Sequence, residues 1–421
     1  MYRFAISPTR DMQIEDLKIA LFNYICAKKK GERFIIRIED IDKTKNIEDK
    51  DREILDILAI FGLDYDSLHY QSDNFKYHLQ FASTFLDEKK AFICFCSEDE
   101  LKRKKEEAKK QNIPYTYDGT CENISSQEIL ESRKPFVIRV KKPTKEIEFN
   151  DTIKGKLKFS PEDLDSFVIM GTDKYPTSCF ANGIDDMLQG ITDIIKNETD
   201  LPNTPREIYI CSLVGYHEEI GYTHIPSLKQ NAPSIKQLLD DGYMPESITN
   251  YLISLYTQTP KEIFSLKEAI EWFDISLVSS SKPFDIEKLK KINTGHIELL
   301  DDVELAKRLG YAGANVGKIA KLYTKYDSTT KDIKVKIDKI FSPKEVEDRY
   351  KEDFVSLKNI VLNSPRFDEF EEFEKYVLKN SALEEKLFSW LLEQLLKGSE
   401  KGPKLSELYP LIKDYLKEIA R

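Results

Sequence analysis

Cys94-Phe95-Cys96, with a third thiol at Cys121 in the run Tyr117-Asp118-Gly119-Thr120-Cys121, is the one set of residues in this chain spaced to hold a metal ion. A C-x-C pair joined by a distant cysteine can place three thiolates around Zn²⁺, and tetrahedral closure then requires a fourth ligand. The competing reading is three buried, reduced cysteines in a strand and a turn. A second chemically pointed stretch opens the chain, where Arg3-Phe4-Ala5-Ile6-Ser7-Pro8-Thr9-Arg10 leads into Asp11-Met12-Gln13-Ile14-Glu15-Asp16. A helix beginning near Gln13 would carry Glu15 and Asp16 in its first turn. Acids there stabilise a helix by about 0.3 to 1 kcal/mol, whereas a carboxylate about 4 Å from a phosphate charge costs on the order of 4 kcal/mol at an effective dielectric near 20. A helix end of the kind that suits phosphate is therefore expected to reject it here. The five histidines, at positions 69, 78, 217, 224 and 296, show no spacing for a metal or a nucleophile and are expected to be structural.

The elements that must position these groups follow from hydrophobic spacing. Residues 1–65 read as a βαβα unit: a strand at 2–5, a helix from about 13, a strand at 34–38 and a helix near 49–61. Ile14, Leu17, Leu21, Tyr24 and Ile25 share one side of the first helix, which predicts a face packed on a sheet. A nucleotide-binding α/β fold follows. From about residue 300 the pattern is helical, most clearly over 382–397, where Leu383, Leu387, Leu391 and Leu395 recur at i, i+4 before Gly398; this stripe reads as core. Lys102, Arg103, Lys104, Lys105, Lys109 and Lys110 are interspersed with Glu100, Glu106 and Glu107, and mixed signs at this spacing predict a solvated, self-paired helix face more than an RNA contact.

Composition bounds the rest. A chain of 421 residues with 40% hydrophobic content can bury sizeable cores in two to four domains. No apolar stretch is long enough for a signal peptide or a membrane span, and six cysteines are too few for a disulfide scaffold. A monomeric cytoplasmic protein with no membrane association is expected. The net charge of −10 is uneven, because residues 301–421 balance 23 Lys+Arg against 23 Asp+Glu and the whole excess lies before them. An acidic body is a poor match for a polyanion, although a basic face can coexist with a negative total.

Longer motifs carry a resemblance. The opening run, the segment Arg37-Ile38-Glu39-Asp40-Ile41-Asp42-Lys43, the stretch Ile184-Asp185-Asp186-Met187-Leu188-Gln189-Gly190-Ile191-Thr192, Asn203-Thr204-Pro205, and Gly242-Tyr243-Met244-Pro245-Glu246-Ser247 resemble, in order, segments of the glutamyl-tRNA synthetase family of class I aminoacyl-tRNA synthetases. The resemblance implies an α/β fold: a class I, Rossmann-like nucleotide-binding catalytic domain split over 1–74 and 166–230, an acceptor-stem domain inserted at 75–165, a stem-contact helical region at 231–300, and an all-α anticodon-binding region at 301–421. It implies ATP with Mg²⁺, glutamate and tRNA as the reaction's ligands and partners. By the same resemblance Arg3, Ser7, Glu39, Asn182 and Lys196 would contact the amino acid, with Ser178 and Cys179 where the family carries a Tyr and a polar residue. Gln13, Asp16 and Lys229 would stand at the ATP site. Some relatives close the zinc site with a Tyr four residues before the last Cys, which is Tyr117 here; others use the residue two after it, Asn123.

Several family features are altered. The His-containing tetrad at the start of the first helix reads Gln13-Ile14-Glu15-Asp16, the Arg that reads the side-chain carboxylate reads Lys196, and an Arg of the anticodon region reads Glu393. The K-M-S-K-S-like loop is missing, since His224-Ile225-Pro226 is followed almost at once by Ala232-Pro233-Ser234-Ile235, with Lys229 the only lysine between the flanks. Lys196 keeps a charge but lacks the bidentate fork of Arg. A family member with little or no adenylation activity is expected; the alternatives are a divergent but active ligase and a non-catalytic tRNA- or protein-binding module.

Overall fold

A computed structural model describes residues 1–113, 115–228, 232–279, 283–399 and 401–421. The apolar runs at the N-terminus become adjacent parallel strands, β1 (Tyr2–Ile6) and β2 (Phe34–Ile38), in register Tyr2 to Phe34 through Ile6 to Ile38. Both are buried along nearly their whole length, as parallel strands covered on two faces must be. The connection between them is α1 (Ile14–Lys30), and α2 (Lys50–Ile60) leads on to β3 (Ser67–Tyr70).

Helix α1 departs from the expected single packed face. Ile14 and the whole run from Leu17 to Ala27 are buried, including Lys18 and Asn23. Phe22, on the side away from Leu17 and Leu21 in the helical pattern, meets the rings of Tyr256 at 5.8 Å and Phe273 at 5.0 Å. The helix is thus covered by later segments as well as by the sheet, which no window of local sequence could reveal. It ends at Gly31 (φ 68°), whose left-handed conformation lets its N–H return to Ala27 and Lys28.

After α3 (Phe75–Asp87) come β4 (Ala91–Cys94), α4 (Glu98–Lys110), α5 (Ser126–Glu131), β5 (Val137–Val140), β6 (Ile147–Asp151), β7 (Gly155–Phe159) and β8 (Val168–Met170). They are followed by α6 (Ser178–Gln189), β9 (Asp193–Asn197), α7 (Thr204–Leu213) and β10 (Gly221–Ile225). Among the described residues the main sheet runs β3-β2-β1-β9-β10-β6-β7, parallel except for the β6–β7 hairpin; β4, β5 and β8 form a separate antiparallel sheet. Strand order reverses at β1, where β2 and β3 lie to one side and β9 to the other. In open α/β sheets that reversal opens a crevice at the carboxyl ends of the strands.

The chain folds as two compact units. The first contains residues 1–235, 255–258 and 266–284. The second contains 236–254, 259–265 and 285–421, so the segment 231–300 is shared between them. The second unit is helical around a core that includes Tyr323, Phe354, Phe373, Leu391, Leu395 and Tyr409. The Phe373 and Tyr409 rings stack at 4.8 Å. Its helices approach closely at Gly317, where an added Cβ would sit 1.9 Å from the Asp302 carbonyl oxygen. The leucine-striped helix spans Glu385–Lys397, three residues shorter than the sequence pattern, because Ala382 (φ 55°) closes the preceding helix in a left-handed conformation. Its buried face is Phe388, Leu391, Leu392, Leu395 and Leu396, which makes the stripe core.

Candidate functional site

The crevice beside β1 and β9 holds a cavity of about 230 Å³. Arg3, Asp16, Glu39, Asn182 and Lys196 all line it, together with Ser178 and Cys179 at the start of α6. Ser7 donates to Glu39 Oε2 at 3.2 Å. Residues far apart in the chain therefore converge on one cavity, and Lys229 lies outside the described residues.

Arg3 is almost fully buried and pairs with Asp186, with Nε and Nη2 donating to the two carboxylate oxygens at 3.0 and 3.2 Å. Arg37 adds Nη1 to Asp186 Oδ1 at 2.7 Å. Burial alone would raise the Asp186 carboxyl, but the two guanidinium charges outweigh it and hold it well below the usual carboxylate range. Asn182 is fixed from behind, accepting from Arg37 at 3.3 Å and Gln71 at 2.9 Å. Lys196 Nζ donates to Glu207 Oε2 at 2.5 Å, a pair in which both side chains are at most one-tenth exposed. Both cations that line the cavity thus carry a carboxylate partner.

The N-terminus of α1 is closed by its own side chains. Asp16 accepts from the Gln13 backbone N–H at 2.8 Å, and Arg10 grips the same carboxylate at 2.6 and 2.9 Å. Gln13 does not line the cavity; its side-chain amide donates to the Asp11 carbonyl at 2.8 Å. Glu15 pairs with Lys18, whose Nζ also donates to Asn197 Oδ1 at 2.6 Å and to the Pro226 carbonyl at 3.1 Å. The acids are therefore compensated, which revises the expectation that bare negative charge excludes phosphate. The helix end is instead occupied: Glu15 accepts the Leu228 N–H, and Glu198 accepts the Ser227 N–H at 3.0 Å. Beyond the undescribed residues, Ile235 N–H returns to the Met12 carbonyl at 3.1 Å. The segment after β10 is tied to the helix end on both sides.

His224, expected to be structural, is buried in a line of groups that its sequence spacing did not show. Its Nδ1 lies 2.7 Å from Asp151 Oδ2 and its Nε2 2.8 Å from Thr204 Oγ1, a hydroxyl–imidazole–carboxylate line. Asp151 also accepts three backbone N–H groups, and these donors with His224 hold its carboxyl low against the opposing effect of burial. Thr204 and His224 have no exposed surface, so no substrate reaches the hydroxyl and the line is a buried support. The 73-residue separation of Asp151 and His224 hid it from sequence reading.

The cysteines do meet. The sulfurs of Cys94, Cys96 and Cys121 lie within 4.8 Å of one another. The Tyr117 hydroxyl sits 3.3 Å from Cys94 Sγ and 3.5 Å from Cys96 Sγ, and accepts the Cys121 N–H at 3.0 Å. Burial and the neighbouring thiols push the Tyr117 hydroxyl up and Cys96 to about 11, while Tyr117, the Cys96 backbone and Arg139 outweigh burial to draw Cys94 down. Three soft donors and a fourth oxygen around one point suit a tetrahedral cation. On α4, Lys104 pairs with Asp118 at 2.6 Å and Arg103 with Glu107 at 4.0 Å, while no residue of the helix is buried. In the second unit Glu393 pairs with the buried Lys397 at 3.2 Å.

Residues 1–291 match the family model described as tRNA synthetases class I (E and Q), catalytic domain. The chain is 47% identical to a glutamate–tRNA ligase 1 of a Nitratiruptor species over 430 aligned positions, nine more than its own length, and 46% identical to a glutamate–tRNA ligase 1 of Campylobacter curvus; all of each chain is covered. Its fold is similar to the crystal structure of a glutamate tRNA ligase from Elizabethkingia meningosepticum in complex with its amino acid, with TM-score 0.79, 23% identity and coverage of 99% of this chain and 97% of that one.

Proposed function

The chain belongs to the class I tRNA synthetases for glutamate and glutamine, and from that premise we propose that it is a glutamate–tRNA ligase family protein whose adenylation step is lost or strongly impaired. The family reaction activates glutamate with ATP and Mg²⁺ and transfers the acyl group to tRNA. In this reading residues 75–165 face the acceptor stem and 301–421 the anticodon arm, and the protein works as a cytoplasmic monomer. No helix among the described residues is long and apolar enough to cross a membrane.

The observation that carries the reading is the closure of the α1 N-terminus on the segment after β10. Catalysis of adenylate formation depends on preorganised donors aimed at phosphate oxygens. Here the Leu228 and Ser227 N–H groups are spent on Glu15 and Glu198, and Lys18 is spent on Glu15, Asn197 and Pro226. Loss of one such donor costs about 2.7 to 4 kcal/mol, and losses that share a site do not simply add.

Arg3, Ser7, Glu39, Asn182 and Lys196 form the remnant amino-acid pocket in this reading, and Cys94, Cys96, Cys121 and Tyr117 hold a structural zinc that fastens β4 to the turn at 117–121. Zinc there would supply folding energy and no chemistry, since four protein donors leave no open position. A second reading, an active ligase with a rebuilt ATP site, is favoured by the full-length identity to proteins named as ligases.

Pyrophosphate exchange measured with ATP, glutamate and tRNA decides between them. The expected outcome is exchange undetectable or reduced by at least about a thousandfold, and exchange at the rate of an intact ligase would establish the second reading.

A further inference from the structure

A second cavity, of about 390 Å³, lies in the first unit and shares no lining residue with the crevice beside β1 and β9. Its walls come from β6, β7, α7, the loop after α7 and β10. None of its lining residues falls in the motifs that carry the family resemblance. The volume is that of small-molecule sites, which combine an apolar lining with a few placed polar groups.

The buried part of the lining is aromatic. Phe149 on β6 and Tyr222 on β10 meet edge to face with ring centroids 5.2 Å apart, flanked by Ile208, Cys211 and Ile220. Tyr222 is only 4% exposed, yet its hydroxyl has no hydrogen-bond partner among the described residues. That oxygen is not among the sealed polar atoms that lack a partner, so the little surface it keeps opens on the cavity. A tyrosine hydroxyl buried this deeply ordinarily finds a partner, and the cavity is where one can reach it.

The exposed part of the lining is acidic. Glu148 is held by Lys156 and, at 2.7 Å, by Lys158, so its charge is spent. Glu218 and Glu219 are exposed and make no ion pair among the described residues. These two carboxylates outnumber the single imidazole of His217 beside them. Aromatic walls beneath unspent carboxylates match a flat ring that carries an ammonium group. The ring packs on Phe149 and Tyr222, a polar N–H of the ring donates to the Tyr222 hydroxyl, and the ammonium meets the glutamates. An anion of the same shape would meet those glutamates as repulsion.

We propose that this cavity binds a small arylalkylamine, a flat ring joined by a short chain to an ammonium group. The site stands on the first unit alone and does not rest on the family reading.

Ligand-observed NMR titration of the whole protein with tryptamine and with indole-3-acetate, the same ring with the opposite charge, tests it. Tryptamine should bind saturably and at least about fivefold tighter than indole-3-acetate, a modest ratio because exposed ion pairs are individually weak. Tyr222→Phe keeps the ring and removes only the hydroxyl, and it should weaken tryptamine by roughly fivefold, the scale of one hydrogen bond. Glu218→Gln with Glu219→Gln changes only exposed side chains, and it should bring the two ligands to within about twofold of each other, which keeps the site testable if the Tyr222 variant fails to fold. Absence of saturable tryptamine binding would overturn the proposal. So would equal binding of indole-3-acetate, or tryptamine binding that neither variant weakens, which would put the amine elsewhere on the acidic body.

Discussion

Asp186 holds two buried guanidinium groups at once, so removing its charge strands both. Breaking a buried pair from one side typically costs about 3 to 5 kcal/mol, and Asp186→Asn should lower the urea stability at pH 7 by that order. The carboxyl is depressed in the folded state, so its contribution is complete above the unfolded value of about 3.9 and is lost as pH falls through the lower folded value. The gap between wild type and variant should therefore narrow progressively in denaturation curves taken below about pH 4; an unchanged gap would mean packing, not charge, sets the cost. Glu15 offers a second test at this scale. Gln13→His with Glu15→Gly brings the tetrad toward the family pattern, yet it removes the acceptor of the Leu228 N–H and a partner of the buried Lys18. The double variant should lose about 1 to 3 kcal/mol of stability and remain without exchange activity. Recovered exchange would show that the shortened loop matters less than the helix end.

At the scale of elements, the turn at 117–121 meets the end of β4 through the thiol cluster and Tyr117. Protein purified without chelator should carry about one zinc per chain by elemental analysis, and Cys96→Ala should abolish it and lower the melting temperature. Absence of zinc in the wild type would return the cluster to three reduced thiols around a tyrosine hydroxyl. Helix α1 illustrates a different lesson. Its N-terminus carries half of a capping box: Asp16, the acidic N3 residue that sequence reading looks for, accepts the Gln13 backbone N–H. Its partner Arg10, six residues before Asp16, makes the helix end electrically quiet.

For the whole molecule, the acidic excess sits in residues 1–300, and α4 spends part of its basic charge on Asp118 and Glu107. Binding to tRNA, which the family implies, should be weak and should fall steeply with salt, because phosphate contacts from dispersed lysines dominate it. ATP and glutamate should leave it unchanged, since coupling by linkage needs a shared, assembled pocket. Labelled tRNA titrated at two salt concentrations, with and without both small ligands, reads these outcomes. Tightening by the ligands would indicate a working site.

Local sequence was sufficient for β1 and β2, for the existence of α1 and α2, and for the helical character of the last third, because burial between layers imposes its own period on apolar residues. It also located the metal-type cysteines, whose spacing is itself the signal, and the motif order was enough to reach the family. Partners were beyond it. Nothing near Arg3 indicates Asp186, nothing near Lys196 marks Glu207 as its counter-ion rather than a helix surface acid, and nothing near His224 points back to Asp151. Whether Glu15 repels a ligand or fastens a loop was likewise settled only by the approach of Leu228, 213 residues away. A charge declares its sign in the sequence, but what it does depends on which opposite charge the fold brings within about 3 Å, where the interaction outweighs the cost of leaving water.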